Sequence, residues 1–242
     1  MPGKTSPAQD LIDIHCHQFS HASHSQILSL DAHELADAQV YTLAQTSSRP
    51  EDSISGSCYF SLGIHPWFIE RQNIDSALQA LIALKDHPKL LAIGECGLDK
   101  CIDTPMSMQI EVFSRQIQLS EDFGKPLIIH CVRAFAELLH LKKSQAPSQA
   151  WIMHGFTGRP GLAAQLIQHG CYISFGKALL LPGSPASQTL QAIPINRLFL
   201  ETDAADLSID TIYAAAAKIR GIDPAHLRRQ IHTNFSNVFL ND

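Results

Sequence analysis

Two histidines separated by one residue, His15 and His17, close an apolar run (LIDIHCH) that carries an acid, Asp13, two residues before the first of them. In a strand, side chains alternate between faces, so residues 13, 15 and 17 point the same way. An acid and two imidazoles on one buried face are costly unless they satisfy one another or hold a cation. The same placement recurs down the chain. His65 follows CYFSLGI, Glu95 and Asp99 stand in LLAIGECGLD, His130 follows PLII, His154 follows WIM, and Glu201 and Asp203 follow LFL. Histidines kept only for packing would scatter among the starts, middles and ends of such runs; these gather at the ends. Imidazole combined with carboxylate suits Zn²⁺, Mn²⁺, Fe²⁺ or Co²⁺ better than Ca²⁺. The reaction such a set supports is hydrolysis by an activated water. Cys16 lies between the two histidines, points to the other face, and is not counted as a ligand.

The elements that must position these groups are eight short apolar runs. The second run is either QILSL (26–30) or VYTLA (40–44). The runs are continuous rather than alternating, which suits parallel strands covered on both faces. Helical periodicity lies between them: Ile74, Leu78, Leu81 and Ile82; Ile110, Phe113 and Ile117; Phe135, Leu138 and Leu139; and, after Pro224, Leu227, Ile231 and Phe235. Gly170 and Gly221 mark two helix ends. Strands alternating with helices imply a closed (β/α)₈ barrel or an open doubly wound sheet. In a barrel, all the C-terminal strand ends open onto one face, where active sites sit. Residues 18–58 hold one strand and at most one clear helix, so one crossover is expected to be truncated.

Composition narrows the classes. With 242 residues, 45% of them hydrophobic, the chain suffices for one barrel domain over residues 1–242. The net charge of −5 shows no basic surplus of the kind nonspecific nucleic-acid binders carry, and no run of Lys or Arg occurs beyond Lys142-Lys143 and Arg228-Arg229, both on expected solvated helix faces. No apolar stretch is long enough to span a membrane or act as a signal peptide, so a cytoplasmic address is expected. The six cysteines form no CxxC pair and are expected to be reduced.

Seven segments, DIHCH, SLGIHPW, AIGECGLD, KPLIIHC, HGFTG, YISFG and LETDA, occur in an order that resembles the TatD family of metal-dependent hydrolases, within the amidohydrolase superfamily. The likeness runs nearly end to end, with residues 18–58 the poorly matching part. It implies a single TIM-like (β/α)₈ barrel with a shortened early β/α region and two divalent metal ions (Zn, Mn or Mg). It also implies a deoxyribonuclease or phosphodiesterase that acts on DNA or a small phosphodiester, at strand ends, as a monomer. By the same resemblance His15, His17 and Asp203 hold the first ion, Glu95 bridges, and His130 and His154 hold the second. Asp203 is also the expected general base. His65 resembles the family's non-ligand histidine at the mouth, where it contacts substrate phosphate; the competing reading is a packed histidine that holds the HPW turn. Arg133, in HCVR, stands one residue later than the family's usual HxR and is carried over as a phosphate contact. Ala205 replaces the proline of the usual ETDxP. Asp13 or Asp99 is expected to hydrogen-bond a ligand histidine or its support. The alternative reading is an amide or ester hydrolase of the wider superfamily, but Glu95 stands where such relatives usually carry a carboxylated lysine. A non-catalytic metal-stabilised scaffold is a third reading; it has no need of a water-activating Asp203.

Overall fold

The computed structural model describes residues 10–18, 24–33 and 58–240. Eight strands pair in chain order, all parallel: β1 (Ile12–Cys16), β2 (Ser25–Asp31), β3 (Cys58–Gly63), β4 (Leu90–Asp99), β5 (Leu127–Val132), β6 (Trp151–Met153), β7 (Tyr172–Phe175) and β8 (Leu198–Leu200). Cys16 bridges Asp203 across the seam between β8 and β1. That bridge makes the sheet a barrel rather than an open doubly wound layer. Each strand contributes at least one fully buried aliphatic, among them Ile14, Ile27, Leu62, Ile93, Ile128, Ile152, Ile173 and Leu198. Burial on both faces is what the continuous apolar runs anticipate.

The second strand is the QILSL segment. It pairs in unbroken register with β3, from Gln26 opposite Cys58 to Asp31 opposite Gly63. VYTLA lies outside the described residues. The connection from β1 to β2 is residues 17–24, too short for an ordinary helical crossover, and its described part carries no helix. The expected early truncation is therefore here.

Seven α-helices are described: α1 (Ile74–Ala83), α2 (Met106–Phe123), α3 (Phe135–Gln145), α4 (Pro160–Gln168), α5 (Pro185–Ala192), α6 (Ile209–Arg220) and α7 (Pro224–Phe235). Asn73, Ser208 and Asp223 cap α1, α6 and α7 by accepting from first-turn N–H groups. Helix α5 is missing from the apolar periodicity because its buried face is largely small or polar: Ala186, Ser187, Thr189 and Leu190. Its signal is Ser184-Pro185, a capping hydroxyl followed by a proline in the first turn.

Helix α2 does more than cover the barrel. Gln109 and Gln116 lie two turns apart on one helix face, and both are buried. Gln116 accepts from the Ile64 N–H at 2.7 Å and donates to the Ile64 carbonyl at 3.1 Å. Gln109 accepts from the Asp99 N–H at 2.7 Å and donates to the Asp99 carbonyl at 2.9 Å. The two amides thus clamp the main chain next to His65 and at Asp99.

Candidate metal centre

Glu95 lies in the middle of β4, where the ladder to β5 shifts register between Ile93 and Cys96. A Cβ on Gly97 would collide with the His130 carbonyl, so that position requires glycine for β4 and β5 to approach this closely. The result is one buried carboxylate ringed by imidazoles. Glu95 Oε2 is 3.3 Å from His15 Nε2 and 3.5 Å from His17 Nε2. Glu95 Oε1 is 3.0 Å from His65 Nε2, 3.0 Å from His130 Nδ1 and 2.8 Å from His154 Nε2. Asp203 comes from the chain just past β8, with φ at +54°. Its Oδ1 is 3.7 Å from His15 Nε2 and 3.5 Å from His17 Nε2. Asp203 N–H donates to the His15 carbonyl at 2.9 Å, so the seam's main chain sets the side chain's position.

Three overlapping groups each bring one donor atom per residue within 4.8 Å of one another: His15, His17 and Glu95; His15, His154 and Asp203; His65, Glu95 and His130. His15 is fully buried, and neither of its ring nitrogens has a hydrogen-bond partner. Buried polar atoms are normally paired, so this ring fits a cation that it would ligate. The donor set, imidazole with carboxylate, is of the kind that suits transition-metal divalent ions.

The charges tell the same story. Burial opposes the charge of Glu95, yet His154, His130 and His15 hold its carboxyl well below the usual range. Burial also opposes Asp203, but His17, His15 and His154 pull it down to about 2. Hydrogen bonding to Asp203 and Glu95 raises His17 to about 9. His154 is raised well above its ordinary value because Glu95 and Glu201 outweigh burial. The carboxylates are thus held ionised and gather positive charge around themselves.

Behind the ring stands a second set of acids. Asp99 Oδ2 is 3.1 Å from His130 Nε2, leaving Nδ1 toward Glu95. Glu201 is fully buried and 3.5 Å from His154 Nδ1; it accepts from Gly155 N–H and Ser174 Oγ, both at 2.5 Å. Asp13 accepts from the His15 N–H at 3.3 Å, from Thr202 N–H at 3.1 Å and from Thr202 Oγ1 at 2.6 Å. Of the two acids expected to support a ligand, Asp99 does so through a side chain and Asp13 through main chain.

His65 combines both of its expected parts. Its Nδ1 accepts from the Trp67 N–H at 3.1 Å, capping the 3₁₀ turn Pro66–Arg71. With Nδ1 occupied, the uncharged ring carries its proton on Nε2, which donates to Glu95. Burial lowers the His65 pKa, which keeps the ring uncharged. Arg133 is exposed at the end of β5 and lines a neighbouring cavity with His154, not the cavity that Glu95 lines. Sequence reasoning missed Asp31, Trp67 and the two glutamines of α2. Asp31 accepts from the His65 N–H at 2.8 Å. Its signal was its place as the polar residue that closes QILSLD.

The family model described as TatD related DNase matches residues 12–240. The chain belongs to this family. It is 37% identical over 161 residues to the human protein named 3'-5' RNA nuclease TATDN2, a match that covers 64% of this chain and 20% of that one. It is 34% identical over 154 residues to the 3'-5' ssDNA/RNA exonuclease TatD of Edwardsiella piscicida, covering 61% of this chain and 58% of the other. The aligned region thus spans less than two thirds of either relative. Among solved structures, the Escherichia coli TatD homologue YjjV superposes with a TM-score of 0.79 at 24% identity, over 95% of this chain and 98% of that one. That likeness supports the TIM-like barrel.

Proposed function

We propose that the chain is a metal-dependent nuclease that hydrolyses phosphodiester bonds at the ends of single-stranded DNA or RNA. The observation that carries this reading is one buried carboxylate, Glu95, within 3.5 Å of five imidazoles at the barrel mouth. The names of the nuclease relatives support the substrate class. His15, His17 and Asp203 would hold one divalent ion and His130 and His154 a second, with Glu95 shared between them. Bound there, such ions supply Lewis acidity and lower the pKa of water.

The chain's own groups do the rest. Asp203, ionised down to about pH 2 in the metal-free protein, is placed to take the proton of the attacking water. A new P–O bond forms to that oxygen, and the bond to the leaving sugar oxygen breaks. His65 keeps an uncharged ring at the mouth, held by its contacts with the Trp67 N–H and Asp31; its Nε2–H faces Glu95, and a phosphate oxygen would take that donor over from Glu95. Asp99 fixes the ring of His130, and the buried carboxyl of Glu201 lies 3.5 Å from His154 Nδ1. Arg133, from the adjacent cavity, is placed to meet a second phosphate of the strand. A monomer, a single domain and a cytoplasmic address belong to the same reading; six free cysteines accord with the last. Among the described residues, no helix is long and apolar enough to cross a membrane.

The test is end-labelled single-stranded DNA and RNA, with Mn²⁺ or Mg²⁺, set beside a panel of amides and esters. Stepwise shortening from one end, stopped by a chelator, is expected. Turnover of an amide or ester with no oligonucleotide cleavage would establish the alternative instead.

A further inference from the structure

Trp67 is 52% exposed, while Trp151, the other tryptophan of the chain, is fully buried. Trp67 is nonetheless held in place. Its Nε1–H donates to Asp99 Oδ2 at 2.8 Å, the same oxygen that lies 3.1 Å from His130 Nε2. Its ring makes edge contacts with His65 and His130, at centroid distances of 4.9 and 5.7 Å. The polar atom of the indole is therefore satisfied inside the protein, and what remains exposed is aromatic surface in a fixed orientation. That surface lies between two spaces. One is the cavity of about 390 Å³ that Glu95 lines, and the other is a groove of about 480 Å³ lined also by Phe68, Glu70, Arg71, Ile102, Asp103 and Thr104.

Charge cannot do much for a strand in this region. Among the described residues lining the two spaces, Arg71 is the one lysine or arginine, and the chain carries a net charge of −5. A single strand without a basic track can still be held by stacking, because every base presents a π-face. A side chain already fixed in place loses little rotamer freedom on binding.

We propose that Trp67 is the stacking platform for the base of the nucleotide next to the scissile phosphate, with that nucleotide seated in the groove beyond. The assignment rests on the nucleolytic reading of the metal centre. Such a platform would favour single strands, whose bases are free to stack.

The test has two arms. In the first, the protein is titrated without added metal with the tetranucleotide dA₄, and separately with an abasic tetramer of the same phosphate count, while tryptophan fluorescence is read. Saturable quenching by dA₄, weak or absent with the abasic strand and lost in Trp67→Ala, is expected. In the second arm, KM for metal-dependent cleavage of the same strand is compared between Trp67→Phe and Trp67→Ala. Both variants lose the contact with Asp99, so their difference isolates stacking. The Ala variant should show a KM about 5- to 100-fold above the Phe variant. Equal quenching by the abasic strand, or equal KM in the two variants, would overturn the platform. Base-dependent quenching without any cleavage would support the platform and overturn the nucleolytic reading.

Discussion

The two sides of the candidate metal centre are held by different means. At the β8–β1 seam, His15, His17 and Asp203 are positioned by main chain: the Cys16–Asp203 bridge and the Asp203 N–H to His15 carbonyl bond, with Asp13 tying Thr202 and His15 together from below. Across from the seam, His65 and His130 are oriented through their second nitrogen by the Trp67 N–H and by Asp99, while His154, which reaches toward His15 and Asp203, has Nδ1 3.5 Å from Glu201 without a hydrogen bond. Neither ring nitrogen of buried His15 makes a hydrogen bond, and of the other three rings only His154 leaves a buried nitrogen, Nδ1, without one. A metal ion held there would be structural for the seam as well as catalytic, whereas His65 and His130 are oriented without one.

The largest break in this comparison is Asp203→Asn. Asn keeps the shape and one ligand oxygen but cannot accept the water proton. The expected loss is on the order of 10²–10⁴ in turnover, with the fold intact by circular dichroism. Near wild-type turnover with unchanged metal content would move the base to another group.

A smaller effect separates the halves directly. Asp99→Asn and Glu201→Gln loosen rings that the protein itself orients, so metal affinity should fall by about 10- to 100-fold while excess metal restores activity. His15→Ala removes a ring that makes no hydrogen bond in the metal-free protein. It should weaken metal binding too, but the metal-free variant should lose less stability than the Asp99 and Glu201 variants, because only the ion-pair contacts of His15 with Glu95 and Asp203 are lost. Isothermal titration and chelator-treated thermal melts read both. Equal destabilisation of the metal-free protein by all three changes would erase the distinction.

The smallest effect is at Asp13. Burial pushes its carboxyl up to about 7 from the ordinary 3.8, against the Thr202 hydrogen bonds. The folded state therefore holds this proton more tightly than the unfolded chain does. The stability it contributes is present below about pH 4 and is lost as pH rises through about 7. Asn cannot ionise, so Asp13→Asn in the metal-free protein should flatten that slope between the two ends. Denaturant melts at several pH values measure it; parallel curves for the variant and wild type would exclude an Asp13 contribution.

Much of this was legible before any coordinates. The strand runs were readable because parallel barrel strands are buried on both faces, and the candidate ligands because each stands at or just past an apolar run. The second strand was ambiguous because QILSL and VYTLA have the same apolar character, and only pairing with β1 and β3 separates them. Helix α5 escaped because its buried face carries little apolar periodicity. Gln109, Gln116 and Trp67 escaped for another reason. Their importance lies in which main-chain groups and which acid they reach, and spacing along one chain does not encode that. Arg133 was legible as a cation near the mouth, but its turn, with φ at +55°, sets it beside the neighbouring cavity.

The central claim is that this carboxylate-centred ring works through two ions. Protein stripped with a chelator and titrated with Mn²⁺, with heat of binding and cleavage of a labelled single strand followed together, tests it most directly. The account predicts no cleavage in the stripped protein, binding that saturates at two equivalents, and activity that reaches its maximum only with the second. Full turnover in the stripped protein, or binding and activity both saturating at one equivalent, would contradict it.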